Sequence, residues 1–171
     1  MRPAVAGSST GKSCMKNDLI GNLLVDTNVL VYAVDASEGR KSADASALLQ
    51  KLSNTGQAST TSQIMTEFYS ATTRQGRGMP PILSTQQAAL FVEGFLERYA
   101  FVTITQAMTL EAVRAAQMHQ MHIYDAQIWA TAKLSGIQLV LTEDLPSGAS
   151  IEGVRYINPF APSFRLSQIG L

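Results

Sequence analysis

Apolar residues fall along the chain in two kinds of run. Short stretches read as strands: Leu23-Leu24-Val25 in "NLLVDTNVLVYAVD", a brief "QAST", then "AFVTIT", "IQLVLT" and a last short "GVRYIN". Between them apolar positions recur at three- and four-residue spacing, the period of a helix with one buried face. In "ASEGRKSADASALLQKLS" that face is Ala45, Leu48, Leu49 and Leu52. The segments "TSQIMTEFYSATTR", "STQQAALFVEGFLER", "QAMTLEAVRAAQMH" and "YDAQIWATAKLSG" carry the same pattern. Ser84 stands as an N-cap for the second of these, and Gly136 at the usual stop position of the last. "GRGMPPIL" is a loop, marked by its glycines and paired prolines. Strands alternating with helices predict an α/β domain: a parallel sheet with helices on both faces, its ligands bound beyond the carboxyl ends of the strands.

Residues 1–21 differ from the rest of the chain. They are rich in Gly, Ser, Lys and Asn and show no period, so the domain is expected over 22–171, with 1–21 as a flexible extension. Within the extension, "AGSSTGKS" (Ala6–Ser13) matches the letters of a phosphate-binding loop. A working loop follows a buried strand and opens a helix. Only five residues, one of them Pro3, precede this one, and "CMKNDLIGN" after it sustains no apolar face. No nucleotide cofactor is expected there, and Met15 is a candidate natural start.

Composition narrows the chemistry further. The 171 residues suffice for one domain with a real core, and the charged fraction is only 15%, so a charge beside an apolar run needs a reason. Net charge is zero, with 13 basic and 13 acidic side chains, so charge does not advertise a nucleic-acid partner, although a local basic patch is compatible with it. The single Cys14 excludes an internal disulfide framework and fits a reducing compartment. No uncharged run reaches the length of a membrane span, and the N-terminus lacks the apolar core of a signal peptide. The expectation is a soluble cytoplasmic protein without membrane association.

Four carboxylates stand where a carboxylate is costly. Asp26 interrupts an apolar run, in the trio Asp26-Thr27-Asn28 at a strand end; a turn and N-cap before "VLVYAV" is an equal reading. Asp144 follows the strongly apolar "LVLT" beside Thr142, and its plain reading is a solvated loop acid; Glu143 alternates away and is expected in solvent. Asp125 opens a helix on the same face as Ile128, Trp129 and Ala132, where dipole stabilisation alone is a respectable explanation. Glu67 shares a helix face with Ile64 and Ala71, or is a rim acid paired with an Arg such as Arg74. Two acids at strand ends and two on inward helix faces form one pattern. Clustered carboxylates repel without a cation, and an oxygen-only donor set suits magnesium or manganese. Such a cluster serves phosphodiester hydrolysis, the cation offsetting charge on the attacking and leaving oxygens.

Other catalytic sets lack parts. His119 and His122 have no third His or second Cys to complete a metal site, and read as a solvated pair. There is no GxSxG or CxxC, "VDTN" lacks the second acid of a DxD phosphotransferase, and a receiver domain's acceptor Asp and late Lys find no place.

With these residues in view, "LLVDTNVLVYAVD", "STTSQIMTEFYSATTR" with Ser62 and Glu67, "HIYDAQIWATAKLSGIQLVLTEDLPSG" and "IEGVRYINPF" resemble, in order, the segments of PIN-domain ribonucleases, and of their VapC-type toxins in particular. The resemblance spans about residues 22–162. It implies a three-layer sandwich around a parallel five-stranded sheet and an acidic magnesium pocket, with manganese as a substitute. It also implies endonucleolytic cleavage of RNA to a 3′-hydroxyl and a 5′-phosphate, an antitoxin partner and a homodimer. By motif match Asp26, Glu67, Asp125 and Asp144 become the metal-site acids, with Asp26 and Asp125 as direct ligands and Glu67 and Asp144 completing the cage or orienting water. Asn28 orients Asp26, Thr142 supports the rim, and Ser62 lies in the matching segment. Many such proteins carry a further acid where this chain has "LPSG", which leaves one or two metal ions open. Arg40, Lys41, Arg74 and Arg77 are candidates for gripping substrate, or form a solvated face. The alternative is a catalytically inactive module of the same fold that binds RNA or protein.

Overall fold

The structure, a computed structural model, describes residues 21–171 apart from Arg77, Met79 and Pro146. The expected extension, the Ala6–Ser13 loop, Cys14, Met15 and Arg77 therefore lie outside the described residues, save for Gly21.

Five parallel strands carry the fold: β1 (Leu23–Val25), β2 (Ala58–Thr61), β3 (Ala100–Val102), β4 (Leu139–Leu141) and β6 (Val154–Ile157). A sixth, β5 (Ser150–Ile151), pairs antiparallel with β6 at the edge. The parallel five-stranded sheet is present, and β5 adds an edge to it. Two residues are too few to leave an alternation in the sequence. The β5–β6 turn has φ of 46° at Glu152 and 91° at Gly153, the left-handed pair that a two-residue hairpin demands. Glu152 holds that conformation while its carboxylate accepts from Arg114, Lys133 and His119.

Sheet order is β3-β2-β1-β4-β6-β5. The chain runs outward from β1 through β2 to β3, then returns to place β4 on the other side of β1. The β1/β4 boundary is thus the point where the strand order reverses and a crevice opens beyond the strand ends. β1 and the flanking β4 are apolar on both faces because helices cover both, so Leu23, Leu24, Val25, Val140 and Leu141 are fully buried.

The helices are α1 (Thr27–Val34), α2 (Arg40–Thr55), α3 (Ser62–Thr73), α4 (Thr85–Arg98), α5 (Gln106–Met118) and α6 (Ile123–Leu134). α2 buries the predicted stripe Ala45, Leu48, Leu49 and Leu52. Ser84 caps α4 and exchanges bonds with Gln87 in a reciprocal box, as its position predicts. α6 stops where Gly136 turns left-handed at φ 73°. This helix buries Ala126, Ile128, Trp129, Ala130 and Ala132, which ties its first turn, and with it Asp125, to the sheet. Among the described residues no helix is long and apolar enough to cross a membrane.

Candidate active site

Asp26 is the first residue after β1 and the N-cap of α1, the arrangement that the turn-and-cap reading expects. Its backbone N–H still belongs to the sheet, donating to Leu141 of β4 at 2.9 Å. Its side chain is buried, with 7% exposure. Oδ1 accepts from the Thr27 N–H at 2.6 Å; Oδ2 accepts from the Thr142 hydroxyl at 2.6 Å and from Asn28 Nδ2 at 3.3 Å. Removal from water nevertheless dominates. It pushes the carboxyl up from 3.8 to about 6, against the Thr142 and Thr27 bonds and with added repulsion from Asp144 and Asp125.

Asn28 is the bridge between the two strand ends. Its Nδ2 reaches Asp26, the Thr142 oxygen at 3.0 Å and Asp144 Oδ2 at 3.0 Å, and the Asp144 N–H donates to Thr142 Oγ1 at 3.1 Å. One amide and one hydroxyl so hold together two carboxylates more than a hundred residues apart.

α3 and α6 bring the other acids. Glu67 accepts from Thr27 Oγ1 at 3.0 Å and from Gln63 Nε2 at 2.9 Å, and Gln63 also donates to the Tyr124 carbonyl at 3.1 Å, beside Asp125. Glu67 thus pairs with α1 and its own helix, and not with Arg74, which ends α3 in solvent. Asp125 is half-buried, and its carboxyl is raised by desolvation first, then by the charges of Asp144 and Glu67, with His122 pulling the other way. Ser62 opens α3 facing solvent, its carbonyl taken by Thr66.

Three contributors carry no signal in the hydrophobic pattern. Thr27 and Gln63 position Glu67, although the four-residue spacing of Gln63 and Glu67 is a legible helix-face cue. The third is Tyr156 of β6, buried and without a hydroxyl partner, whose ionisation is disfavoured by burial and by Asp125 and Asp26. One expectation fails outright. Glu143 is not a free solvated acid, because both its oxygens clasp Lys41 Nζ at 2.6 and 2.8 Å. That contact lowers the Glu143 pKa.

The donor set at this edge fits a hard cation in kind. It is all oxygen, its carboxylates repel, and two of its buried acceptors, Asn28 Oδ1 and Gln63 Oε1, have no hydrogen-bond partner. It does not form a closed cage: among the described residues no three His, Cys, Asp or Glu side chains stand within ligating range of one point. A groove of about 670 Å³ between α2 and α4 contains none of these acids.

A family-wide model described as the PIN domain matches residues 23–145. Among solved structures, a toxin-antitoxin complex from Klebsiella pneumoniae superposes with a TM-score of 0.57 at 21% identity, covering 81% of this chain and 98% of that one. The Mycobacterium tuberculosis toxin VapC20, which cleaves the sarcin-ricin loop, gives 0.55 at 16% identity, covering 69% and 86%. DNA-bound VapBC from Salmonella typhimurium gives 0.57 at 17% identity, covering 81% and 97%. Among curated proteins, none matches closely enough to count as a relative.

Proposed function

The chain belongs to the PIN domain family, and on that premise we propose that it is a metal-dependent endoribonuclease, the toxin of a toxin–antitoxin pair. The observation that carries the reading is the meeting of Asp26, Asn28, Thr142 and Asp144 at the β1/β4 switch point, with Glu67 and Asp125 delivered beside them by α3 and α6. The likeness in fold to VapC-type toxins supports the biological role.

Asp26 and Asp125 would hold magnesium, with manganese as a substitute, and Glu67 and Asp144 would complete the shell. When bound, the cation supplies positive charge to the reacting phosphate and its water. The chain's own residues do the rest. Thr142 and Asn28 fix the Asp26 carboxylate in one orientation, and Asn28 holds Asp144 at the same edge. Thr27 and Gln63 hold Glu67 facing the cluster, where a carboxylate can accept the proton of an attacking water. The products would be a 3′-hydroxyl and a 5′-phosphate. An antitoxin partner, a homodimer and a cytoplasmic setting belong to the same proposal.

Purified protein with magnesium is expected to cut structured RNA, and Asp26→Ala to abolish cutting while remaining folded. One observation favours the alternative, an RNA- or protein-binding module: the acids are not closed into a ready-made cage. Binding of tRNA or rRNA fragments without cleavage in magnesium or manganese would establish that alternative.

A further inference from the structure

Beside the acid cluster lies a cleft of about 420 Å³ between α2 and the segment after β6. Its floor is apolar, formed by Leu48, Phe160 and Phe164, and its lining carries four cations, Arg40, Lys41, Lys51 and Arg165, against one carboxylate, Asp44. For a chain of zero net charge this is a strong local excess. Only part of it is neutralised. Lys41 is taken by Glu143, and Arg40 meets Asp44 at 3.4 Å on an open helix face, a weak pairing. Among the described residues no carboxylate lies within salt-bridge range of Lys51 or Arg165. Arg165 is nonetheless positioned: its Nη1 donates to the Pro162 and Phe164 carbonyls at 3.0 and 2.7 Å, which steadies the guanidinium on the cleft wall.

The cleft borders the acid site through Lys41. Lys41 lies over the rings of Tyr32 and Phe160, and those rings meet edge to face at 5.2 Å. Its ammonium grips Glu143, the residue before Asp144, and Tyr32 belongs to the helix that Asp26 caps. Lys41 so joins the cleft wall to the acid edge, although none of the four acids lines the cleft itself.

We propose that this cleft binds the single-stranded RNA flanking the scissile phosphate, with Arg40, Lys51 and Arg165 on backbone phosphates and the Phe160–Phe164 floor against a base. The proposal rests on the endoribonuclease reading for the identity of the polymer. Spaced cations around aromatic rings match a chain that is anionic along its backbone and flat at its bases. An acidic peptide also suits the cations, but it offers no flat base to the Phe160 and Phe164 rings.

The test compares the full chain with a variant carrying Arg40→Ala, Lys51→Ala and Arg165→Ala, all at exposed positions. The probe is a labelled unstructured oligoribonucleotide, with Asp125→Asn in both proteins to keep the probe intact. Three lost phosphate contacts should weaken binding at least tenfold and reduce the slope of log affinity against log salt by about 2. Arg98→Ala on α4, outside the cleft, should change neither. In the cleaving protein the triple change should raise KM and leave kcat within about twofold, because it removes contacts made equally before and during the reaction. An unchanged salt slope overturns the proposal, as does a labelled polyglutamate peptide that binds the full chain and is lost in the triple variant while RNA binding persists unchanged. If the triple variant fails to fold, Lys51→Glu alone carries the test, since reversal must weaken binding more than Lys51→Ala. Binding through the cleft without cleavage would sink the nuclease reading and leave the cleft. Cleavage with KM untouched by the triple change would do the reverse.

Discussion

Replacing Asp26 with Asn should stabilise the fold in chelator at neutral pH, and the gain should vanish in acid. Burial raises the Asp26 carboxyl from 3.8 to about 6. The native state then holds the proton more tightly than the unfolded chain does, so stability is lost as pH rises through that window. With both states ionised, the shift amounts to about 3 kcal/mol, at about 1.4 kcal/mol per unit. At about pH 4.5 only about 1 kcal/mol of that penalty has developed, so the difference between Asp26→Asn and wild type should grow by about 2 kcal/mol between about pH 4.5 and about pH 7.5. Asn keeps the capping role, but its amide N–H would face Thr142 Oγ1, which already accepts from Asn28 and the Asp144 N–H, so the absolute gain will be smaller than the full penalty.

Urea unfolding followed by the fluorescence of fully buried Trp129 measures both proteins at both pH values. The double difference cancels the carboxylates that titrate alike in each, including Glu152. Magnesium should then reverse the ranking. A cation that binds only the folded wild type adds about 2.7 kcal/mol at about a hundredfold excess over Kd, and Asp26→Asn should lose most of that increment. A double difference near zero, or a variant less stable at pH 7.5 than at pH 4.5 relative to wild type, would refute the view that Asp26 is held at an electrostatic cost which a cation relieves.

Two more outcomes are expected from the same contacts. Thr142→Val removes one of the two shortest bonds to Asp26 at nearly constant volume and should cost about 1.5–3 kcal/mol at neutral pH and less in acid, read from the same unfolding curves. Glu152 is held down to about 2 by Lys133, His119 and Arg114. Its contribution is present above the ordinary carboxylate range and lost as pH falls toward 2, so wild type should drop further in melting temperature across that range than Glu152→Gln does.

What the sequence makes legible here is whatever depends on near neighbours. Leu23-Leu24-Val25 announces a buried strand because its residues are apolar together, and Asp26 stands out because it breaks that run. The stripe of α2 and the cap of α4 are readable for the same reason, each within one or two turns. The site itself depends on pairings between distant residues. Nothing near Asn28 says that its amide will reach Thr142 and Asp144, and nothing near Glu143 says that Lys41 will clasp it. Those contacts exist because β4 returns to lie beside β1, an outcome of the whole chain's topology. The alternation that assigned Glu143 to solvent is correct for an isolated strand end; α2 then arrives over it with an ammonium. The cation-rich cleft has the same origin. Arg40 and Lys51 face solvent on α2, and they form a binding surface with Arg165 only because the chain after β6 folds back across that helix. The charged positions that define the chemistry are therefore individually ambiguous in the sequence. Each becomes specific when a second element, fixed by the apolar pattern, sets its partner in place.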